Sequence, residues 1–252
     1  MNSYLRALSF LTILPLPFVR FSPDGKELSA SAAAFPLAGA TIGLVLAGVG
    51  WLLSRVLPLM AVAVILLFLS FILTRGLHFD GLADTADGLI GTTSRDKAFK
   101  AMEDSAIGVM GAVMLIFVTL LKIILLSEIG LVLLPLALLF MPMAGRWSIV
   151  YGGAWFGPAR DRGLGDLFLR GLNRIILLKA SIGAVIIIAV VSWLLPAMLL
   201  PVLTGSASAL LSSHILTLYA AGRLGGLTGD ILGAASEMGE LFFLIGFYLA
   251  LL

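Results

Sequence analysis

Seven stretches of about 20 apolar residues fill most of this chain, and each is long enough to cross a bilayer as a helix. They run over roughly 33–54, 58–77, 106–127, 131–153, 175–195, 200–221 and 232–252. The chain is 60% hydrophobic and only 12% charged, whereas a soluble domain carries about 25% charged residues. So much apolar surface cannot be hidden inside one water-facing globule. The fold class is therefore all-α: a single membrane-embedded domain over residues 1–252, a polytopic helical integral membrane protein with about seven transmembrane helices. Tyr4 to Leu14, followed by Pro15 and Pro17, reads as a short N-terminal interfacial helix rather than a secretory signal, because the prolines break the apolar run.

Composition also excludes several kinds of chemistry. Cysteine is absent, which removes disulfides, thiolate metal sites and a cysteine nucleophile. A net charge of +2 is too small to imply nucleic acid. The two histidines, His78 and His214, stand too far apart for a zinc motif. There is no Walker loop, G-x-G-x-x-G fingerprint or Ser-His-Asp arrangement.

Lysine and arginine set the orientation. Arg6, Arg20 and Lys26 precede the first span. Arg75, Arg95, Lys97 and Lys100 lie between the second and third. Arg160, Arg162, Arg170, Arg174 and Lys179 cluster between the fourth and fifth, and Arg223 lies between the sixth and seventh. The alternate connections hold only Arg55. Seven crossings put every basic connection on one side, which is then cytoplasmic. The protein is expected in the cell inner membrane with its active site facing the cytoplasm and the lipid bilayer as its surroundings.

The acids gather on that same side. His78-Phe79-Asp80-Gly81-Leu82-Ala83-Asp84-Thr85-Ala86-Asp87-Gly88 places Asp80, Asp84 and Asp87 at spacings of four and three, within about 60° of arc on a helix. Three like charges on one face repel unless a cation lies among them, and Mg²⁺ favours oxygen ligands and bridges to phosphate. These three are the metal candidates. Glu103 and Asp104 stand where the third span enters the membrane; Asp104 is a candidate base or second metal position, and a plain ion pair with Lys100 is the competing reading. Gly225-Gly226-Leu227-Thr228-Gly229-Asp230 suits backbone contact with phosphate through Gly226 and Gly229. Asp230, Glu237 and Glu240 fall within about 80° on a helix. Acids inside an apolar span mark a site by default, and ion pairs of Glu237 and Glu240 with Lys122 or Arg146 are the alternative. Lys122 and Arg146, inside the third and fourth spans, could equally grip a phosphate. Gly163 and Gly165 offer a weaker phosphate contact. His78 can tune the aspartates or donate a hydrogen bond.

Several carboxylates, few bases and two glycine-rich turns suit metal-assisted phosphoryl transfer. The HFDGLADTADG segment, with Arg95-Asp96 and Met102-Glu103-Asp104-Ser105 after it, resembles the cobalamin synthase (adenosylcobinamide-GDP ribazoletransferase) family. Phe10-Leu11-Thr12 with Leu14-Pro15-Leu16-Pro17, Phe35-Pro36-Leu37 with Gly39 and Gly43, Gly163-Leu164-Gly165, and Gly226 through Glu240 are similar to its other segments. The resemblance implies Mg²⁺ as cofactor and a reaction that joins adenosylcobinamide-GDP to α-ribazole or its 5′-phosphate, releasing GMP, in the last stage of vitamin B12 assembly. A homo-oligomer or an assembly with other pathway enzymes is compatible with it, and no residue singles out either. Two other readings stand beside this one. A CDP-alcohol phosphotransferase of lipid synthesis would share the aspartates, but the Ala-Arg pair and long spacer of that motif are missing. A cation transporter would need acids near mid-membrane in several spans, whereas most here gather at one boundary.

Overall fold

The computed structural model describes residues 3–14, 25–160 and 163–252; Pro15, Pro17, Arg20 and Arg162 lie outside them. Six helical runs are long and apolar enough to cross a membrane. The first joins α2 (Lys26–Ser31) through a 3-10 turn to α3 (Phe35–Leu53). The others are α7 (Val109–Glu128), α8 (Leu134–Trp155), α10 (Arg174–Leu194), α11 (Leu199–Leu224, entered through a 3-10 turn) and α12 (Gly229–Leu249). A seventh crossing is reached only when α4 (Leu59–Leu73) is taken with α5 (Leu77–Leu89), the two being bent by 92° from each other. After that bend α5 passes the starts of α7 and α12, at one end of the bundle. Three short helices complete the fold: α1 (Ser3–Leu11), α6 (Arg95–Glu103) and α9 (Leu164–Gly171).

The second apolar run was expected to continue to residue 77, but its helix stops at Leu73. The Gly76 N–H donates to the Phe71 carbonyl at 2.9 Å, and Arg75 and Gly76 both adopt the left-handed conformation, with φ of 55° and 65°. This is the usual way a helix closes its last carbonyls. Glycine is the favoured residue for such a φ, and here an arginine takes one of the two places. The N-terminal expectation holds in outline. Helix α1 ends at Leu11, and the Ile13 N–H then donates to the Leu73 carbonyl at 2.8 Å. Arg6 pairs with Glu27 at 2.7 Å, which ties α1 to α2.

Lipid tails are as apolar as leucine, so spans associate by close fit and polar contacts rather than by the hydrophobic effect. The helices at the centre are accordingly rich in small residues. In α8 and α12, 78% of the apolar window is buried, against 11% in α10. Gly39 and Gly43 of α3 lie so close to the Pro142 and Leu138 carbonyls of α8 that a methyl group would not fit. Pro142 lacks the N–H that would bond the Leu138 carbonyl, and Gly43 comes in against that freed oxygen. Gly239 of α12 meets Ser148 of α8 in the same manner. The outer helices carry the large residues into lipid, such as Ile182, Val185 and Ile186 on α10.

Across the end of the bundle, α5 rests on the first turns of α12. A side chain added at Gly81 would stand 2.6 Å from the Asp230 carbonyl oxygen, and one at Gly233 would stand 3.3 Å from the Gly81 Cα. Two facing glycines thus bring the aspartate helix against the start of α12.

Candidate functional site

Three adjoining cavities open at this end. The largest, about 920 Å³, is lined by Asp80, Asp84 and Asp104 together with Arg75, Ser9 of α1 and Thr12 just after it. The second, about 230 Å³, holds His78, Asp80 and Asp230 among apolar walls. The third, about 180 Å³, is bounded by Arg160, Gly163, Gly165, Thr228, Gly229 and Asp230. Asp80 is shared by the first two and Asp230 by the last two. The carboxylates therefore stand at the junctions of one branched opening.

Helix α5 sets the aspartates one turn apart. Asp80 and Asp84 face the large cavity, and among the described residues neither forms an ion pair. Partial burial, then the charges of Asp80, Asp230 and Asp87, push Asp84 up to about 7. Asp87 shares the arc but is engaged elsewhere. Its two oxygens accept the Gly108 and Gly111 N–H groups at 2.8 Å each. It thus closes the N-terminus of α7, where a carboxylate also complements the helix dipole. A side chain at either glycine would collide with that carboxylate. Asp104 ends α6, accepts the Ala106 N–H at 2.9 Å and stays exposed at the cavity wall. Glu103 pairs with Arg160, and no contact between Asp104 and Lys100 forms.

Asp230 begins α12. The Thr228 hydroxyl donates to it at 3.2 Å and accepts the Ile231 N–H at 3.3 Å. Gly229 faces Gly165 backbone to backbone: a side chain at Gly165 would stand 3.0 Å from the Gly229 nitrogen. Gly163, with φ of 89°, opens α9 on the other side of the small cavity. Gly226 does a different job. Its φ of 154° lets the chain pair Leu227 with Gly157 and Ala159, each at 2.8–2.9 Å. It is buried and outside all three cavities.

Lys122, Arg146, Glu237 and Glu240 come together with one another and not with the aspartates. Lys122 Nζ donates to Glu237 Oε2 at 2.6 Å and to Glu240 Oε2 at 2.7 Å, and Arg146 Nη1 donates to Glu240 Oε1. All four are at most 4% exposed in their side chains. Two cations and two anions cancel inside the bundle, which is how charge is tolerated there. None of the four lines any of the three cavities at this end. His78 lies beside this network at the start of α5, buried, with its Nδ1 lacking a hydrogen-bond partner among the described residues. His214 is engaged outside the site, with the Tyr151 hydroxyl 2.9 Å from its Nδ1.

Sequence reasoning missed Arg75, which is the only cation among the described residues that line the large cavity. It also missed Phe10, Phe35 and Phe168, which line the second. Arginine at a helix-ending position that prefers glycine was the available signal for the first. Aromatics scattered over 158 residues carry no signal for the second.

The contact between α5 and α12 yields one expectation. Gly81→Ala should force α5 off the Asp230 backbone and lower turnover by about 100-fold, the scale of a 1 Å misplacement. Membrane insertion, followed by fractionation, should be unchanged.

The fold and the opening define a multi-pass helical membrane protein with an acid-lined cavity at one end. The family model for cobalamin-5-phosphate synthase matches residues 3–248, and the chain belongs to that family. Curated relatives carry the name adenosylcobinamide-GDP ribazoletransferase. The protein of Acetivibrio thermocellus is 36% identical, covering 97% of this chain and 96% of its own length. That of Roseiflexus sp. is 38% identical over 93% and 84%, and that of Geotalea daltonii is 36% identical over 96% and 95%. No solved structure gives a significant match.

Proposed function

We propose that this protein is an adenosylcobinamide-GDP ribazoletransferase. It moves the adenosylcobinamide-phosphate group from adenosylcobinamide-GDP to α-ribazole, or to its 5′-phosphate, and releases GMP. The observation that carries the reading is the pair Asp80 and Asp84, which form no ion pair among the described residues, on a 920 Å³ cavity beside Asp230 in a member of this family.

The donor set fits Mg²⁺. Crowding of Asp84 by three other carboxylates is relieved by a divalent cation. Among the described residues no three His, Cys, Asp or Glu side chains form a ready-made metal cage. Mg²⁺ does not require one, since it is commonly held by one or two carboxylates, waters and substrate phosphates. Asp80 and Asp84 would hold it, and Asp87 braces α7. When bound, the ion offsets charge on the diphosphate oxygens and favours departure of GMP. The protein's own groups supply the rest. Asp230 accepts the proton of the acceptor's ribose hydroxyl. The oxygen so freed bonds to the phosphorus nearer the cobinamide, and the bond from that phosphorus to the bridging oxygen breaks, its electron pair leaving with GMP. Arg75, rather than Lys122 or Arg146, is the cation that faces the departing phosphate.

The location follows from charge. Arg75, Arg95, Arg160 and Arg223 all emerge at the cavity end, where Arg95 donates to the Ala159 carbonyl at 2.9 Å and Arg223 to the Thr92 carbonyl at 3.0 Å. The positive-inside tendency supports a cytoplasmic position for this end, in a protein we assign to the cell inner membrane.

Purified protein should release GMP from adenosylcobinamide-GDP plus α-ribazole only when Mg²⁺ is present. Protons compete with metal for carboxylates, so Mg²⁺ affinity should rise as pH rises through about 7, where Asp84 ionises, and level off above it. GMP release that survives chelation, or an affinity that falls with rising pH, would sink this model.

A further inference from the structure

We infer that the second cavity is the seat of the acceptor's planar heteroaromatic base, and that His78 bonds that base's single free ring nitrogen. The inference deepens the transferase reading and rests on it. The cavity measures about 230 Å³, a size for a nucleoside and not for a corrinoid. One wall is a patch of three near-parallel rings. Phe10, Phe35 and Phe168 have centroids 5.7–6.3 Å apart and planes within 26° of each other. Leu28, Ile149 and Leu232 add to the apolar lining. A flat apolar ring gains most from such a surface.

The polar side chains of the cavity are His78, Asp80 and Asp230. Asp80 and Asp230 stand where this cavity meets its neighbours. His78 is 3% exposed, and its Nδ1 has no partner among the described residues. A buried nitrogen without a hydrogen bond is costly, and a ligand that supplies the bond gains by it. Gly165, Gly229 and Gly233 leave part of the remaining lining free of side chains, beside Leu77 and Leu164.

The number of polar atoms decides between the two bases in the reaction. Guanine presents several donors and acceptors on its edge, and with Asp80 and Asp230 taken up by the ribose and the reacting groups, an apolar slot with one imidazole nitrogen would leave most of them unpaired. The dimethylbenzimidazole of α-ribazole has one free ring nitrogen, and its two methyl groups belong against phenyl rings. With the base seated here, the ribose extends toward Asp80 and Asp230, which places its hydroxyl at the junction with the large cavity. The donor approaches from that cavity, and its guanosine remains outside the aromatic slot.

The test measures binding before turnover. Equilibrium dialysis of α-ribazole against the purified protein should show binding that an analogue with indole in place of the benzimidazole lacks by about tenfold, the worth of one buried hydrogen bond. In His78→Phe this discrimination should vanish, while the KM for adenosylcobinamide-GDP stays within twofold. His78→Gln, which keeps a polar group, should restore part of it. The half-buried wall variant Phe10→Leu should weaken α-ribazole and the indole analogue alike. Two results would overturn the inference: unchanged discrimination in folded His78→Phe, or a raised KM for the donor with acceptor binding intact, which would seat guanine in the slot. Wild-type protein that binds α-ribazole but releases no GMP would instead refute the transferase reading and leave the slot standing.

Discussion

Asp84→Asn should lower GMP release about a thousandfold or more, the range in which loss of a preorganised charge at a transferring group is felt. The substitution keeps the side chain's size and removes the charge that crowds Asp80, Asp87 and Asp230. Asp84 makes no ion pair and caps no helix among the described residues, so the bundle should assemble as before. Mg²⁺ titration should show affinity weakened in parallel with turnover. Asp80→Asn should behave alike, because Asp80 lies at the junction of two cavities. Wild-type turnover in a folded Asp84→Asn protein would remove these two aspartates from the chemistry.

Glu240→Gln should act on the fold rather than the reaction. Glu240 is the one acceptor that serves both Lys122 and Arg146. Neutralising it leaves two buried cations facing Glu237 alone, and an uncompensated buried charge costs about 3–5 kcal/mol. Thermal unfolding in detergent should show a large loss of stability and yield. Each molecule that remains folded should turn over near the wild-type rate, since none of the four network residues lines the opening. With Glu240 intact, Lys122→Met combined with Glu237→Gln removes one cation and one anion and keeps the Arg146–Glu240 pair, so it should lose far less stability than Glu240→Gln. A Glu240→Gln protein with wild-type stability but no turnover would instead return this network to the active site.

These two outcomes follow from a division that helix periodicity obscures. Asp230, Glu237 and Glu240 share one arc of α12, and the arc alone suggests a single site. Yet each residue adds about 1.5 Å along the axis, so Glu237 and Glu240 lie about 10 and 15 Å further into the bundle than Asp230. Depth, not angle, sorts them: Asp230 borders the opening, and the glutamates meet Lys122 and Arg146. Likewise, Asp87 lies on the arc of Asp80 and Asp84, but Gly108 and Gly111 draw its carboxylate to the start of α7. Nothing in the spacing of the aspartates foretells this, because the donors belong to another helix.

The amino-acid sequence by itself determined that the chain crosses a bilayer repeatedly, that its basic connections share one side, and that Asp80, Asp84 and Asp104 emerge on that side. Each of these depends on hydropathy, charge and spacing over a few turns, which are local properties. Only the tertiary structure decided which acids share a cavity, which neutralise buried cations, and that Phe10, Phe35 and Phe168 line one cavity with His78. Those outcomes depend on helices whose partners are far away in the chain, and on glycines that set how closely backbones approach.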